Sequence, residues 1–194
     1  CFVQASVNVE FETASSSLGH PLIASVRQAL GRDRYEKESL ALYYWNALIP
    51  DLVFQNVHDL VVTASSCALS CATPGDEPTY ASLYSHIFTS SLAIGLHEQA
   101  YAALIHIDSG DSRKLEALTE LVLNLIDSGK TRELAELPFV NLLDHVHTII
   151  MSRARSSDII ERSPNLYQVL YAFHMAKSNY KLAAESMFIY AERL

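Results

Sequence analysis

A pair of matched stripes near the C-terminal end constrains this chain most. In Asn165–Leu194, NLYQVLYAFHMAKSNYKLAAESMFIYAERL, the apolar residues Leu166, Val169, Leu170 and Phe173 fall at i, i+3, i+4 and i+7, one face of a helix. Ser163 is placed to cap that helix, with Pro164 at its first position, where a missing N–H costs nothing. Ser178 and Asn179 suit a turn. Leu182, Ala183, Ser186, Met187 and Tyr190 then form a second stripe with small residues in it, which let two helices approach closely. Tyr171, Tyr180 and Tyr190 are expected to fill the remaining gaps. The two segments read as one helical hairpin, shaped to pack against others of its kind.

The same form recurs upstream. Helix–Gly–x–x–helix occurs at Gly31, Gly95 and Gly129, with Ser178 in the equivalent place, and Gly95 and Gly129 are 34 residues apart, the tetratricopeptide period. A spacing of 83 pairs Leu83-Tyr84 with Leu166-Tyr167, Phe88 with Tyr171, Leu92 with Met175, Ala93 with Ala176, Ala100 with Ala183, and Leu104 with Met187. Unequal spacings predict an irregular stack rather than a uniform array. Helical stripes are expected from Pro21 to Gly31 and from Tyr35 to Leu48. A new helix is expected from Pro50 to about Ser70, and others over Tyr80–Ile94, His97–Ile107 and Leu115–Ile126. A short helix capped by Thr131 and stopped by Pro138 follows, then one capped by Asn141, with Asp144 at a capping-box position, running to about Ser156. Val3 to Phe11 alternates apolar and polar, a strand period, before a serine-rich loop. The expected organisation is an extended or linker segment over residues 1–20 and an all-α, irregular α-solenoid of antiparallel, tetratricopeptide-like hairpins over residues 21–194.

Composition agrees. Six glycines and six prolines in 194 residues favour long regular elements over many turns, and 19% charged residues leave more surface able to meet a partner. A net charge of -8 gives a nucleic-acid role no electrostatic support. Cys1, Cys67 and Cys71 are too few for a disulfide framework and fit a reducing, intracellular compartment. No signal peptide and no apolar run of about 18 residues is present, so no membrane span is expected. The start at Cys1 rather than Met predicts a section of a longer protein.

No residue pattern in the sequence amounts to a motif for chemistry. His145 and His147 lie about 200° apart around a helix and cannot chelate one metal. His97-Glu98 opens like the zinc motif H-E-x-x-H, but position 101 is Tyr. Cys67 and Cys71 share one helical face without a second ligand pair at zinc-finger spacing, and read as buried thiols. Asp108 and Asp111 read as turn and capping residues. Tyr43-Tyr44-Trp45 reads as core packing or a partner anchor. Arg153 and Arg155 are too few for phosphate binding. No catalytic, cofactor-binding or metal residue is assigned, no cofactor is expected, and the chain is not expected to be an enzyme.

Glu133–Arg155 and Leu166–Leu194 resemble the helical region of the large scaffold nucleoporins of the Y-shaped outer-ring complex of the nuclear pore. The resemblance is carried by Glu136-Leu137-Pro138-Phe139-Val140-Asn141-Leu142 and Ser152-Arg153-Ala154-Arg155. Further on it includes Leu170-Tyr171-Ala172-Phe173-His174, Asn179-Tyr180, Ala183-Ala184, and Met187 through Tyr190-Ala191 to Arg193-Leu194. It covers Gly95 to Leu194, weakly over His97–Asp111, and is poor before Cys71. These are packing residues, so length carries its specificity. It implies a β-propeller followed by an α-solenoid, with no catalytic residues. It also implies a scaffold at the nuclear envelope that contacts other Y-complex nucleoporins and supports pore assembly and transport. The competing reading is a tetratricopeptide-type adaptor, which needs a row of Asn, Lys or Arg along a concave groove. An all-α enzyme would need one polar pocket with a perturbed His or carboxylate.

Overall fold

The computed structural model describes residues 34–73, 75–107, 112–157 and 165–194. They form α1 (Arg34–Phe54), α2 (His58–Cys71), α3 (Glu77–Ala93), α4 (His97–Ile105), α5 (Ser112–Asp127), α6 (Thr131–Glu136), α7 (Leu143–Ser156), α8 (Leu166–Ala176) and α9 (Tyr180–Arg193). The described residues contain no strand, and the chain is an all-α, tetratricopeptide-like solenoid. The Val3–Phe11 strand, the Pro21–Gly31 helix, Ser163, Pro164, Asp108 and Asp111 lie outside the described residues.

One turn geometry joins four of the helix pairs. Asn56, Gly95, Gly129 and Ser178 all have left-handed backbone, with φ of 57°, 76°, 72° and 57°. At each, the next residue's N–H reaches back five residues: Val57 to Leu52 O, Leu96 to Ser91 O, Lys130 to Leu125 O and Asn179 to His174 O, at 2.8–3.1 Å. The left-handed residue itself donates three back, to Val53, Leu92, Ile126 and Met175. This is the Schellman closure, which satisfies carbonyls that a helix end leaves unpaired. The next helix starts at once, since the carbonyls of Val57, Leu96, Lys130 and Asn179 accept its first bonds.

Sequential pairs α1–α2, α2–α3, α3–α4, α4–α5 and α8–α9 pack together, while α5 lies against α3, α6 and α7, and α8 against α6 and α7. One core runs from Ile87 and Phe88 through Leu104, Leu118, Leu125, Val146 and Ile150 to Leu170 and Phe173. A smaller core holds Ile49, Val61, Ala64, Ala68 and Leu83, and Leu69 touches both. The stripe on α8 is buried throughout, and Ala183 and Ser186 on α9 are buried as the close-approach reading requires. Ala100 on α4, paired with Ala183 by the 83-residue spacing, is likewise buried.

Several boundaries differ from expectation. Pro50 does not start a helix; it sits exposed inside α1, which runs on to Phe54. The break comes at Asn56, whose short polar side chain tolerates left-handed backbone. α3 starts at Glu77 because Asp76 caps it, accepting from Thr79 N, with Pro78 in the first turn. Asn165 caps α8 by accepting from Tyr167 N at 3.0 Å, in the role read for Ser163. Thr131 is inside α6, which Lys130 precedes without a side-chain cap. Asn141 does not cap α7 either: the N-cap position is Leu142, and Asn141 is left-handed at φ 59°. Tyr171 and Tyr180 point outward instead of filling gaps; Tyr167 is the buried tyrosine, stacked on Tyr190.

Candidate interaction surface

Polar side chains inside this stack join helices to one another. His97, first residue of α4, is buried; its Nδ1 donates to Glu133 Oε2 at 3.0 Å and its Nε2 pairs with the Asn124 amide at 2.9 Å. Lys130 Nζ meets the same carboxylate at 3.4 Å. The failed zinc motif thus marks a knot between α4, α5 and α6. A buried imidazole needs such partners, because leaving one unpaired costs more than the bond returns.

The connection from α6 to α7 is held more strongly. Phe139 is fully buried between Tyr101 and Phe173, edge-on to both at centroid distances of 5.3 and 6.1 Å. Val140 N donates to the Tyr101 hydroxyl at 3.3 Å, and Lys177 Nζ donates to Leu137 O at 2.6 Å. Burying the phenyl ring contributes about 1.5–3 kcal/mol, against about 0.5–1.5 for an ordinary hydrogen bond, so the ring is the main anchor. Burial also lowers the pKa of Lys177. At the far end Arg193 Nη1 donates to Ala154 O and to the Tyr167 hydroxyl, each at 2.9 Å. That carbonyl belongs to the last turn of α7, where a cation is favoured.

The remaining sequence candidates scatter. His145 is exposed, whereas His147 is half-buried with its Nδ1 2.8 Å from Nε2 of buried His174. Desolvation, and then the charge of His147, lowers the His174 pKa to about 4, while Glu185 opposes the shift. This pair crosses α7 to α8, and the H-x-H spacing gave no sign of it. Cys67 and Cys71 are half-buried rather than buried. Tyr43 is exposed; Tyr44 and Trp45 are half-buried, and Trp45 packs against the smaller core. Arg153 and Arg155 are exposed. Among the described residues no group of three His, Cys, Asp or Glu is placed to hold a metal ion, and no helix is long and apolar enough to cross a membrane.

Several large apolar and aromatic side chains face outward: Phe54 is 87% exposed, Val140 66%, Tyr180 64% and Phe188 63%. Large side chains of this kind anchor protein interfaces. Fold and surface together define a class, an all-α, tetratricopeptide-like solenoid with internal polar ties and exposed apolar side chains.

Residues 1–194 match the family model described as NUP160/120 middle TPR. The chain is 37% identical over 154 residues to the nuclear pore complex protein Nup160 of Mus musculus, covering 79% of this chain and 11% of that protein. It is 31% identical over 114 residues to nuclear pore complex protein NUP160 of Arabidopsis thaliana, 58% of this chain and 8% of that one. It is 27% identical over 143 residues to nucleoporin NUP120 of Chaetomium thermophilum, 72% of this chain and 11% of that one. The chain belongs to the NUP160/120 middle TPR family. The family match takes in the residues before Cys71, where the sequence resemblance was poor, and the groove-binding adaptor is not favoured.

Proposed function

We propose that this chain is part of a Y-complex nucleoporin, a structural scaffold component of the nuclear pore complex at the nuclear envelope. Its hairpins supply shape and its outward apolar side chains supply protein–protein contact with other outer-ring nucleoporins. In this role it supports pore assembly and nucleocytoplasmic transport, and carries out no reaction. The observation that carries this reading is the family match along the whole chain, with relatives named as nuclear pore proteins in an animal, a plant and a fungus. The chain spans only 11% of the animal relative, so the wider role rests on the whole protein. The test is to tag the whole protein in cells, image it, and identify co-purifying proteins by mass spectrometry. A nuclear-rim signal with outer-ring nucleoporins in the eluate is expected. A diffuse signal without them would refute the reading.

A further inference from the structure

A cleft of about 300 Å³ opens along α7, lined among the described residues by His147, Thr148, Met151, Ser152 and Arg155. These positions are i, i+1, i+4, i+5 and i+8, one stripe along a helix face. Met151 is buried and forms the floor, while Thr148, Ser152 and Arg155 are exposed. His147 forms a wall whose ring is held in place by the bond to His174. Thr148 Oγ1 already donates to Asp144 O, which leaves its lone pairs free to accept. Among the described residues no carboxylate lines the cleft; Asp144 lies one turn toward the start of α7. Arg155 makes no hydrogen bond or ion pair among the described residues, in a chain where 22 acidic residues face 14 basic ones.

We propose that this cleft docks a short acidic segment of another protein. One apolar side chain of that segment enters over Met151, since a space of this size takes a single large side chain. A carboxylate beside it pairs with the Arg155 guanidinium, whose fork matches two carboxylate oxygens. The Thr148 and Ser152 hydroxyls meet the segment's backbone. Charge decides the class of occupant. A basic segment is repelled at Arg155, and a wholly apolar one covers the guanidinium without a partner. The proposal rests on the reading of the chain as a scaffold acting through protein contacts, and it names the chemistry of one such contact.

The test is fluorescence anisotropy on the whole protein, with a short fluorescein-labelled peptide of Glu, Asp and Leu and a control carrying Lys at every acidic position. The acidic peptide should bind, more weakly as salt rises. Arg155→Glu should weaken it about tenfold or more. Arg153→Glu makes the same charge change about 200° away around α7 and should change little. Both arginines are exposed, so both variants should keep the wild-type circular dichroism. No binding of the acidic peptide, equal binding of the Lys control, or equal loss in the two variants would overturn the proposal. The rim signal of the tagged wild-type protein reads the scaffold role separately, so peptide failure with a normal rim signal removes the cleft alone.

Discussion

Phe139 lies edge-on to Phe173 across the joint between the α6–α7 connection and α8, with ring centroids 6.1 Å apart, although its own backbone is left-handed at φ 41°. A bulky residue rarely accepts that conformation, and burial of the ring offsets its cost. Phe139→Ala keeps the unfavourable backbone and removes the compensation. It should lower unfolding free energy by about 3–5 kcal/mol. Urea denaturation checks this; a loss confined to a few tenths would show that the connection is not anchored by the ring.

Ala183 faces α8 with almost no exposed surface, and Ser186, one turn on, is equally enclosed. Ala183→Leu should overpack that contact and cost about 1–3 kcal/mol. Differential scanning calorimetry would read it as a lower Tm, and an unchanged Tm would argue against the close approach of α8 and α9.

The four Schellman turns make a matched set of predictions. A Cβ added at Gly129 would meet nothing within 4 Å, so the cost of substitution there is backbone strain alone. Gly129→Val should therefore destabilise by more than Gly129→Asn, because Asn56 already occupies the same conformation. In the opposite direction, Ser178→Gly should stabilise by about 1 kcal/mol through relief of left-handed strain. Chemical denaturation of the three variants would settle the order; Val and Asn behaving alike would contradict it.

His174 sets a pH dependence. Its folded pKa lies near 4, below the ordinary histidine value of 6.5, so burial favours the unprotonated ring. The unfolded chain then binds more protons between these values. Stability is fully present above about pH 6.5 and is lost as pH falls toward 4. Burial lowers the His86 pKa as well, which adds a contribution of the same sign. Thermal melts between pH 7 and pH 4 should show Tm falling with pH, and His174→Gln should flatten the slope. A variant with the wild-type slope would remove His174 as a contributor.

The helical hairpins were legible in the sequence because their turns are local. Gly95 and Gly129 announce left-handed backbone through their missing side chain, and the position of Ser178 followed from their pattern. Asn56 escaped because Pro50 drew the expected break to itself. A proline removes one helical hydrogen bond, yet a long helix can absorb that loss where the ring faces water, as it does in α1. Asn141 and Thr131 carry the sequence signature of caps without capping a helix, for a related reason. Capping residues also suit turns, and only neighbouring packing decides which role they take. For the contact surface, the sequence marked Arg153, Arg155 and the aromatic clusters but not which of them face water.

The amino-acid sequence by itself determined the all-α class, the 3.6-residue stripes, the positions of three tight turns and the family resemblance. All of these are written in residues close together along the chain. The tertiary structure alone decided that His97 ties three helices through Asn124 and Glu133, that His147 meets His174, and that Phe139 lodges between Tyr101 and Phe173. Those partners are 27 to 38 residues apart, too far along the chain for the stripe of any one helix to relate them. They meet because burying apolar faces brings particular helix sides together, and the enclosed polar groups must then find whatever partner lies opposite.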